Sequence, residues 1–285
     1  MKVFYDSRMS VDSGGYSPSG SKPAAVVADW MNLGIEVCEF EPATEEDLCL
    51  AHSPKYVSNV LSGRGANGHG NRLPRVTEAT RWTCGSMVAA SRQALIDHVA
   101  CSPSSGFHHA GYESGGAFCT FNGLIVAARK LQNEGLVDRV GIIDCDVHYG
   151  DGTDDIIQTL DLSSRIRHWT FGAAFGRRAF DQTAFLDELR SALVEMQTEG
   201  VRLILYQAGA DAHVDDPLGG VMTTEEMRER DKLMFSWCKQ LEMPFAVCLA
   251  GGYQRDKNGG ISKVLALHRA TMEEAITIFG QPEMG

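Results

Sequence analysis

Short runs of apolar residues alternate along the chain with longer stretches in which apolar residues recur every three or four positions. The short runs predict β-strands at residues 3–5, 35–40, 140–143, 168–171, 203–206 and 245–249. Several of these runs are apolar at nearly every position. Continuous apolar strands are typical of a parallel sheet that is buried on both faces.

Stretches with helical periodicity lie between these strands. They predict α-helices at residues 77–97, 121–134, 154–160, 183–199, 225–241 and 262–279. Thr223 and Glu226, three positions apart, form a capping-box pattern at the start of the helix from residue 225. The order of strands and helices predicts a single α/β domain over residues 1–285, with a doubly wound, mostly parallel sheet and helices on both faces.

The composition agrees with one globular domain of 285 residues, because 44% of the residues are hydrophobic and 22% are charged. No apolar run reaches the roughly 18 residues that a membrane-spanning helix needs. Polar and charged residues follow the first five residues at once, at Asp6, Ser7 and Arg8. We therefore expect no secretory signal at this start and a cytoplasmic protein.

The net charge of −11, without any cluster of Lys and Arg, disfavours a nucleic-acid-binding surface. The eight cysteines include no Cys-x-x-Cys pair, and several lie within apolar stretches. We therefore expect reduced, buried thiols, with neither a cysteine zinc site nor a disulfide framework. None of these patterns predicts an oligomeric state.

Polar clusters follow three of the predicted strands, at residues 144–152, 207–213 and 250–253. A fourth cluster, at residues 106–111, contains two adjacent histidines and precedes a glycine-rich loop. In a doubly wound sheet the functional crevice lies beyond the carboxyl ends of the strands. We therefore expect the residues of these clusters to meet there.

The first of these clusters contains Asp144, Asp146 and His148 at alternate positions, which all point to one side if the strand continues through them. Carboxylates on one side repel each other unless a cation or a proton lies between them. Asp146 and His148, joined by Asp211 from the second cluster, supply three ligands and leave positions open, as in catalytic zinc sites. The alternative for this stretch is a helix cap, with Asp151 before the helix at residues 154–160.

The histidine pair His108-His109 carries little information alone, because adjacent histidines are often a surface feature without function. Asp144 and Asp151 can each accept an imidazole N–H and so select the tautomer of one ring. Tyr253 follows two glycines at the end of a strand. Tyr253 either packs its ring in the core or contributes a functional hydroxyl group. Its position at a strand end favours a functional hydroxyl.

Taken in order, the four clusters resemble the motifs of the histone deacetylase and acetylpolyamine amidohydrolase family. The resemblance extends from Tyr5 to the last predicted helix, and the motifs are His108-His109, Asp144-x-Asp146-x-His148-x-Gly150-Asp151-Gly152, Gly209-Ala210-Asp211-Ala212-His213-x-Asp215-Asp216-Pro217-Leu218-Gly219 and Gly251-Gly252-Tyr253. Residues 115–119 look closest to short class IV members, whereas residues 215–219 look closer to class II members and the polyamine enzymes. The chain thus resembles a short, bacterial-type member with an arginase/deacetylase-like fold.

The resemblance implies an enzyme that removes acetyl or other acyl groups from lysine or similar amines by means of metal-activated water. The residues that match the family's functional positions are Asp146, His148 and Asp211 as metal ligands, His109 with Asp151 as general base and later acid, His108 with Asp144 as an electrostatic partner, Tyr253 as the hydroxyl that polarises the carbonyl, and Phe118 as one wall of the acyl-lysine channel. No Gly-x-Ser-x-Gly elbow for a covalent acyl-enzyme is present.

Zn²⁺ is the expected cofactor, and Fe²⁺ is the alternative, because an Asp-His-Asp ligand set accepts either ion. The resemblance also implies a K⁺ ion near residues 144–148. The expected partner is an acylated lysine peptide, an acylated polyamine or another small acylated amine, and neither nucleic acid nor a membrane.

The chain departs from its relatives between the strand near residue 171 and the helix from residue 183, where it is short. Relatives carry a second channel aromatic in this loop, and Phe171, Phe175 and Phe180 are the candidates for that position. A shortened wall predicts that the channel accepts acyl groups longer than acetyl. The loop at residues 63–74 is expected at the rim, where many relatives carry an acidic residue.

Two other functions fit part of the pattern. A binuclear-metal ureohydrolase shares this fold by analogy, but it needs further paired carboxylates and gives His108, His109 and Tyr253 no role. A non-catalytic binder of acylated ligands would be indicated by a lost metal ligand or a lost tyrosine, and neither is lost. One metal ion per chain, against two, separates the deacetylase from the ureohydrolase.

Overall fold

The structure, a computed structural model, describes residues 1–176 and 180–280. Its strands form one sheet in which every neighbouring pair is parallel. In chain order the strands are β1 (Lys2–Phe4), β2 (Glu36–Cys38), β3 (Val99–Ser102), β4 (Val140–Asp144), β5 (Ile166–Thr170), β6 (Leu203–Gln207) and β7 (Phe245–Cys248). Their order across the sheet is β2-β1-β3-β7-β6-β4-β5, so the predicted doubly wound parallel sheet is confirmed.

Helices connect the strands, and each predicted helix is confirmed to within three residues at both ends. The helices are α1 (Lys22–Trp30), α2 (Glu45–Leu48), α3 (Pro54–Leu61), α4 (Pro74–Asp97), α5 (Gly123–Asn133), α6 (Asp151–Thr159), α7 (Phe171–Ala174), α8 (Gln182–Thr198), α9 (Thr224–Gln240) and α10 (Ser262–Phe279). The predicted capping box is present at α9, where Glu226 accepts from the Thr223 N–H at 2.7 Å.

The sequence pattern does not predict β3. This strand has four residues and follows α4 with only His98 between them. His98 turns the chain in a left-handed conformation, with φ of 66°. No glycine or proline marks that turn, and a run of four residues is too short to stand out from the helix that precedes it.

Two hydrophobic cores lie on opposite faces of the sheet. Ile143, Ile204 and Tyr206 face the core that contains residues of α1, α8, α9 and α10. Ile142 and Leu205 face the other core, which contains residues of α2 to α6. Because alternate residues of a strand enter different cores, the central strands are apolar at consecutive positions.

The cysteines behave as the sequence predicts. All eight are free thiols, and six of them are buried. Burial raises the pKa of several of these thiols, including that of Cys119 to about 12, so they stay protonated and act as small hydrophobic side chains. Within the described ranges, no helix is both long and apolar enough to cross a lipid bilayer.

Candidate active site

The clusters that follow β4, β6 and β7 meet at one edge of the sheet because these strands are neighbours. There Asp146, His148 and Asp211 each bring one ligand atom to within 4.8 Å of the others. Nδ1 of His148 lies 2.9 Å from Oδ1 of Asp146 and 3.1 Å from Oδ2 of Asp211. In the described part of the chain, no other three metal-ligating side chains come this close together.

The backbone that carries Asp146 and His148 does not continue the strand, so the condition for strand alternation at these residues is not met. β4 ends at Asp144, and the chain bends over residues 146–148. The N–H of His148 donates to Oδ1 of Asp146 at 3.0 Å, and the N–H of Asp146 donates to Oδ1 of Asp144 at 3.1 Å. These local bonds replace the sheet ladder, and the bend turns both ligands toward Asp211.

Burial makes the charge of this ligand set costly without a cation. Asp146 and Asp211 are only 2% and 0% exposed. Burial, together with the neighbouring Asp146 carboxylate, raises the pKa of Asp211 to about 8. Hydrogen bonds to Asp146 and Asp211 raise the pKa of His148 to about 10. Compensating positive charge therefore stabilises the cluster, and a divalent metal ion is one source of it.

Gly251 permits the two carboxylates to approach each other. Its N–H donates to Oδ2 of Asp146 at 2.9 Å. A Cβ atom at this position would lie 2.7 Å from Oδ2 of Asp146 and would overlap Oδ2 of Asp211. The glycine that follows β7 is therefore a steric requirement of the ligand set.

Each histidine of the adjacent pair donates to a carboxylate of its own. Nδ1 of His108 lies 2.7 Å from Oδ2 of Asp144, and Nδ1 of His109 lies 2.6 Å from Oδ1 of Asp151. The two ring centroids are 4.1 Å apart, and Nε2 of His108 is 3.8 Å from Oδ1 of Asp146. Because a carboxylate only accepts hydrogen bonds, both Nδ1 atoms carry hydrogen, which leaves Nε2 of His109 as the nitrogen of that ring that can accept a proton.

His108 and His109 differ in pKa because their surroundings differ. Burial lowers the pKa of His108, but the Asp144 and Asp146 carboxylates more than offset it and raise the pKa to about 9. Burial and the charge on His108 lower the pKa of His109, and Asp151 opposes this only in part. At neutral pH His109 is therefore neutral, and its Nε2 is a base.

Asp151 is the first residue of α6, which tests the alternative of a helix cap. The helix has no side-chain cap, and the carboxylate of Asp151 accepts from His109 instead. The side chain of Asp151 is 63% exposed, whereas that of Asp144 is fully buried. The two histidine–carboxylate pairs thus differ mainly in their contact with solvent.

Tyr253 follows a sharp turn that two other side chains stabilise. Ala250 takes a left-handed φ of 54°, and the fully buried ammonium of Lys22 donates to its carbonyl oxygen at 2.5 Å. Asp216 accepts from the N–H of Tyr253 at 2.7 Å. Burial, together with the carboxylates of the ligand set, raises the pKa of Tyr253 well above its usual range, so the hydroxyl stays protonated.

Phe118 lies beside Tyr253, with 5.7 Å between the ring centroids. Two further aromatic rings contact it: that of Tyr16 at 5.7 Å and that of His69 at 5.6 Å. The N–H of Phe118 donates to the carbonyl of Gly68 at 2.9 Å, which anchors the loop between α3 and α4 against this ring.

The candidates for a second aromatic wall lie elsewhere. The rings of Phe171, Phe175 and Phe180 contact one another and that of Phe185. Phe171 is fully buried, and the other two pack against the same core. Core packing therefore excludes Phe171 from the channel wall, whereas Phe175 and Phe180 are half-buried and stay candidates for it. Residues 177–179 of the same segment lie outside the described residues.

Two polar residues at this site have no place in the sequence motifs. Gln207 donates to Oδ1 of Asp144 at 2.8 Å and accepts from the N–H of Phe107 at 3.1 Å, so it connects both sides of the His108 pair. Its position at the end of an apolar strand was a usable signal. Lys22 offered none, because 228 residues separate it from the carbonyl that it contacts.

A comparison with families of known proteins agrees with this geometry. A model of the histone deacetylase domain matches residues 21–168 and 174–268. The chain belongs to the histone deacetylase family. The family predicted from the motifs is confirmed, and with it the deacetylase class of hydrolases.

Two relatives and one solved structure show how far this deacetylase-family chain resembles others. An uncharacterized protein of Picosynechococcus sp. is 31% identical over 244 residues, which are 79% of this chain and 81% of the relative. A probable deacetylase of Methanothermobacter thermautotrophicus is 28% identical over 255 residues, with 75% and 73% covered. The crystal structure of an acetylpolyamine aminohydrolase from Burkholderia pseudomallei shares the fold, with a TM-score of 0.77 at 17% identity and 98% and 99% covered.

Proposed function

We propose that this protein hydrolyses the amide bond of acylated lysine or a similar acylated amine, with one divalent metal ion held by Asp146, His148 and Asp211. The observation that carries the proposal is the proximity of this ligand set to His109, whose ring centroid lies 6.0 Å from that of His148, and to Tyr253, two residues beyond the Gly251 N–H that bonds to Asp146. Hydrolysis of an amide by metal-activated water uses a Lewis acid, a base and a donor to the developing oxyanion, and these groups can provide all three.

The ligand set fits a divalent metal ion. Two carboxylates and one imidazole match the number and type of protein ligands in catalytic zinc sites and leave coordination positions open. We propose Zn²⁺ as the metal, with Fe²⁺ as the alternative, because hard oxygen and nitrogen ligands accept both. When bound, the ion supplies a Lewis acid that polarises the substrate carbonyl and lowers the pKa of a water molecule.

For the proposed K⁺ ion near Asp144–His148, this chain offers fewer side-chain ligands than for the divalent ion. The carboxylate of Asp144 already accepts from His108, from Gln207 and from the N–H of Asp146. A monovalent cation at this position would therefore depend mainly on backbone carbonyl groups for its ligands.

His109 performs the proton transfers in this proposal. Its Nδ1–H is bonded to Asp151, so its Nε2 takes the proton of the attacking water and Asp151 stabilises the imidazolium that forms. The same nitrogen then donates a proton to the amine as the C–N bond breaks. An amine is a poor leaving group unless it is protonated, so the second transfer is as necessary as the first.

The other site residues stabilise charge and position the substrate. The hydroxyl of Tyr253 donates to the carbonyl oxygen as negative charge develops on it. His108, held by Asp144, contributes positive charge beside the ligand set. Phe118, which lies beside Tyr253, packs against the apolar stem of the acylated amine.

Acylated lysine peptides, acylated polyamines and other small acylated amines are the proposed substrates. The Methanothermobacter thermautotrophicus relative is named a probable deacetylase, which agrees with removal of an acyl group. The net charge of −11 favours approach of cationic substrates such as these and disfavours nucleic acid. We place the enzyme in the cytoplasm and assign it neither a nucleic-acid nor a membrane partner.

The ureohydrolase alternative has less support. A binuclear site needs additional carboxylates that bridge two ions about 3.5 Å apart. Among residues 1–176 and 180–280, the three ligands named above form the one cluster of this kind. A non-catalytic binder remains the second alternative, but it would give the His109–Asp151 pair no function.

The decisive experiment is metal analysis of the purified protein and of Asp211→Ala. We expect one ion per chain in the wild type, and loss of both metal and activity in the variant with its circular dichroism unchanged. Asp215→Ala is the matched control, because Asp215 lies four residues later with its side chain 54% exposed. Full metal content in Asp211→Ala contradicts the ligand assignment, and two ions per chain favour the ureohydrolase. Metal without hydrolysis of any acylated peptide or polyamine favours the binder.

A further inference from the structure

Arg230 is a fully buried arginine that no step of the proposed reaction uses. It lies on α9, and none of its side chain is exposed. A guanidinium stays charged at any accessible pH, and charged side chains are almost never fully buried unless they are paired. The groups that Arg230 contacts therefore indicate which part of the fold the buried guanidinium stabilises.

The guanidinium contacts the ends of both strands that lead to the carboxylate ligands. Nη1 donates to the carbonyl oxygen of Gly209 at 2.9 Å and lies 3.5 Å from the carbonyl oxygen of Cys145. Cys145 directly precedes Asp146, and Gly209 precedes Asp211 by two residues. One nitrogen thus connects the backbone beyond β4 to the backbone beyond β6.

Gly209 is the point where the two ligand-bearing segments touch. A Cβ atom on this residue would lie 2.6 Å from Cα of Asp146 and 2.7 Å from Oδ1 of Asp211. The same Oδ1 accepts from the N–H of Val147 at 3.3 Å. Because no added carbon atom fits at Gly209, its backbone is in close contact with the backbone of Asp146 and with the carboxylate of Asp211.

Asp231 fixes the orientation of the guanidinium. Its Oδ1 accepts from Nε of Arg230 at 2.9 Å and from the hydroxyl of Tyr206 at 2.5 Å. Its Oδ2 accepts from the hydroxyl of Thr271 at 2.6 Å. Tyr206 belongs to β6 and Thr271 to α10, so the Arg230–Asp231 pair is attached to the sheet and to the neighbouring helix.

We infer that Arg230 is a positioning residue of the metal centre, which sets the separation of Asp146 and Asp211 through the carbonyl groups of Cys145 and Gly209. The inference rests on the proposed function in requiring a metal ion at that ligand set. A neutral donor would satisfy the same carbonyls. The guanidinium differs from such a donor because its planar array of N–H groups holds Asp231 and the Gly209 carbonyl at the same time.

The test is the Zn²⁺ dissociation constant of the double variant Arg230→Met Asp231→Leu, measured by competition with a chelator. Removing both charges avoids an unpaired buried carboxylate, and apolar side chains of similar volume are tolerated at buried ion pairs. We expect the constant to rise by about 10- to 100-fold, as is usual when a group that orients metal ligands is removed.

Thr271→Val is the matched control. It removes one hydrogen bond to Asp231 but leaves Arg230 and its carbonyl contacts in place. We expect its metal-free Tm to fall while its Zn²⁺ dissociation constant matches that of the wild type. A purely structural role for Arg230 would give the double variant the same signature, with a lower Tm and an unchanged dissociation constant.

An unchanged constant in a folded double variant overturns the inference. If that variant does not fold, Arg230→Lys decides, because a lysine has one donor point and cannot reach Asp231 and the Gly209 carbonyl together. A rise of about tenfold or more in Arg230→Lys supports the inference, and an unchanged constant overturns it. A wild-type protein that binds neither Zn²⁺ nor Fe²⁺ overturns the proposed function itself, which is a separate outcome.

Discussion

Nδ1 of His109 lies 2.6 Å from Oδ1 of Asp151, and this contact determines which nitrogen of the ring is free to act as a base. We expect His109→Ala to lower kcat by on the order of 10² or more, because no other neutral base replaces it, while the metal content stays normal. The measurement is kcat with an acetylated peptide, alongside metal analysis. His98→Asn, at an exposed histidine next to β3, is the control. A near-normal kcat in His109→Ala contradicts the assignment.

Tyr253→Phe tests the oxyanion donor without disturbing the ring packing. The change removes only the hydroxyl and leaves the contact with Phe118 in place. We expect kcat to fall by on the order of 10² or more with little change in bound metal, because the donor acts on charge that develops in the transition state. An effect confined to KM would assign the hydroxyl to substrate binding alone.

His52 makes the stability of the fold depend on pH. Its Nδ1 donates to the carbonyl of Gly111, and its Nε2 accepts from the N–H of Asn122, both at 2.8 Å, so the ring is held in one neutral tautomer. Burial lowers its pKa to about 4. The unfolded chain therefore takes up a proton below its usual pKa of about 6.5, while the folded chain does not until about pH 4. The contribution of the neutral His52 to the stability of the fold is therefore complete above pH 6.5 and declines as the pH falls toward 4.

The measurement is urea unfolding of metal-free protein at pH 7.5 and pH 5, for the wild type and for His52→Gln. Between these two pH values, we expect the free energy of unfolding to fall by about 2 kcal/mol more in the wild type than in the variant, because of the shifted pKa of His52 alone. Equal losses in both proteins would show that His52 is not the group responsible.

The acyl-chain preference is tested with acetyl, butyryl, octanoyl and myristoyl forms of one peptide. We expect the longer chains to be cleaved at rates comparable to, or above, that of acetyl. The ring against Phe118 comes from Tyr16, which is 65% exposed, and an exposed ring moves aside more easily than one in the core. Each methylene accommodated changes binding by only about 1–3 kcal/mol. A steep fall in kcat/KM from acetyl onward would show that the channel is closed.

Several features of the fold and the site follow from short stretches of sequence. Continuous apolar runs identify β4, β6 and β7, and the residues just beyond them include the metal-ligand candidates Asp146 and Asp211 and the proposed oxyanion donor Tyr253. This works because the carboxyl ends of parallel strands meet at one edge of the sheet, so neighbours in space are recognisable by their position relative to strand ends.

The sequence by itself determined the sheet, the family and the metal-ligand candidates, because each depends on a local pattern or on motifs a few residues long. Only the tertiary structure decided which side chains hold the backbone around the metal-ligand candidates in place. Lys22 contacts Ala250, and Arg230 contacts Gly209, across distances in the chain that carry no periodic signal. The same holds for Phe171, whose aromatic character suits a channel and a core equally until packing decides between them. The physical reason is that burial and backbone contacts between distant segments arise only when the helices dock on the sheet.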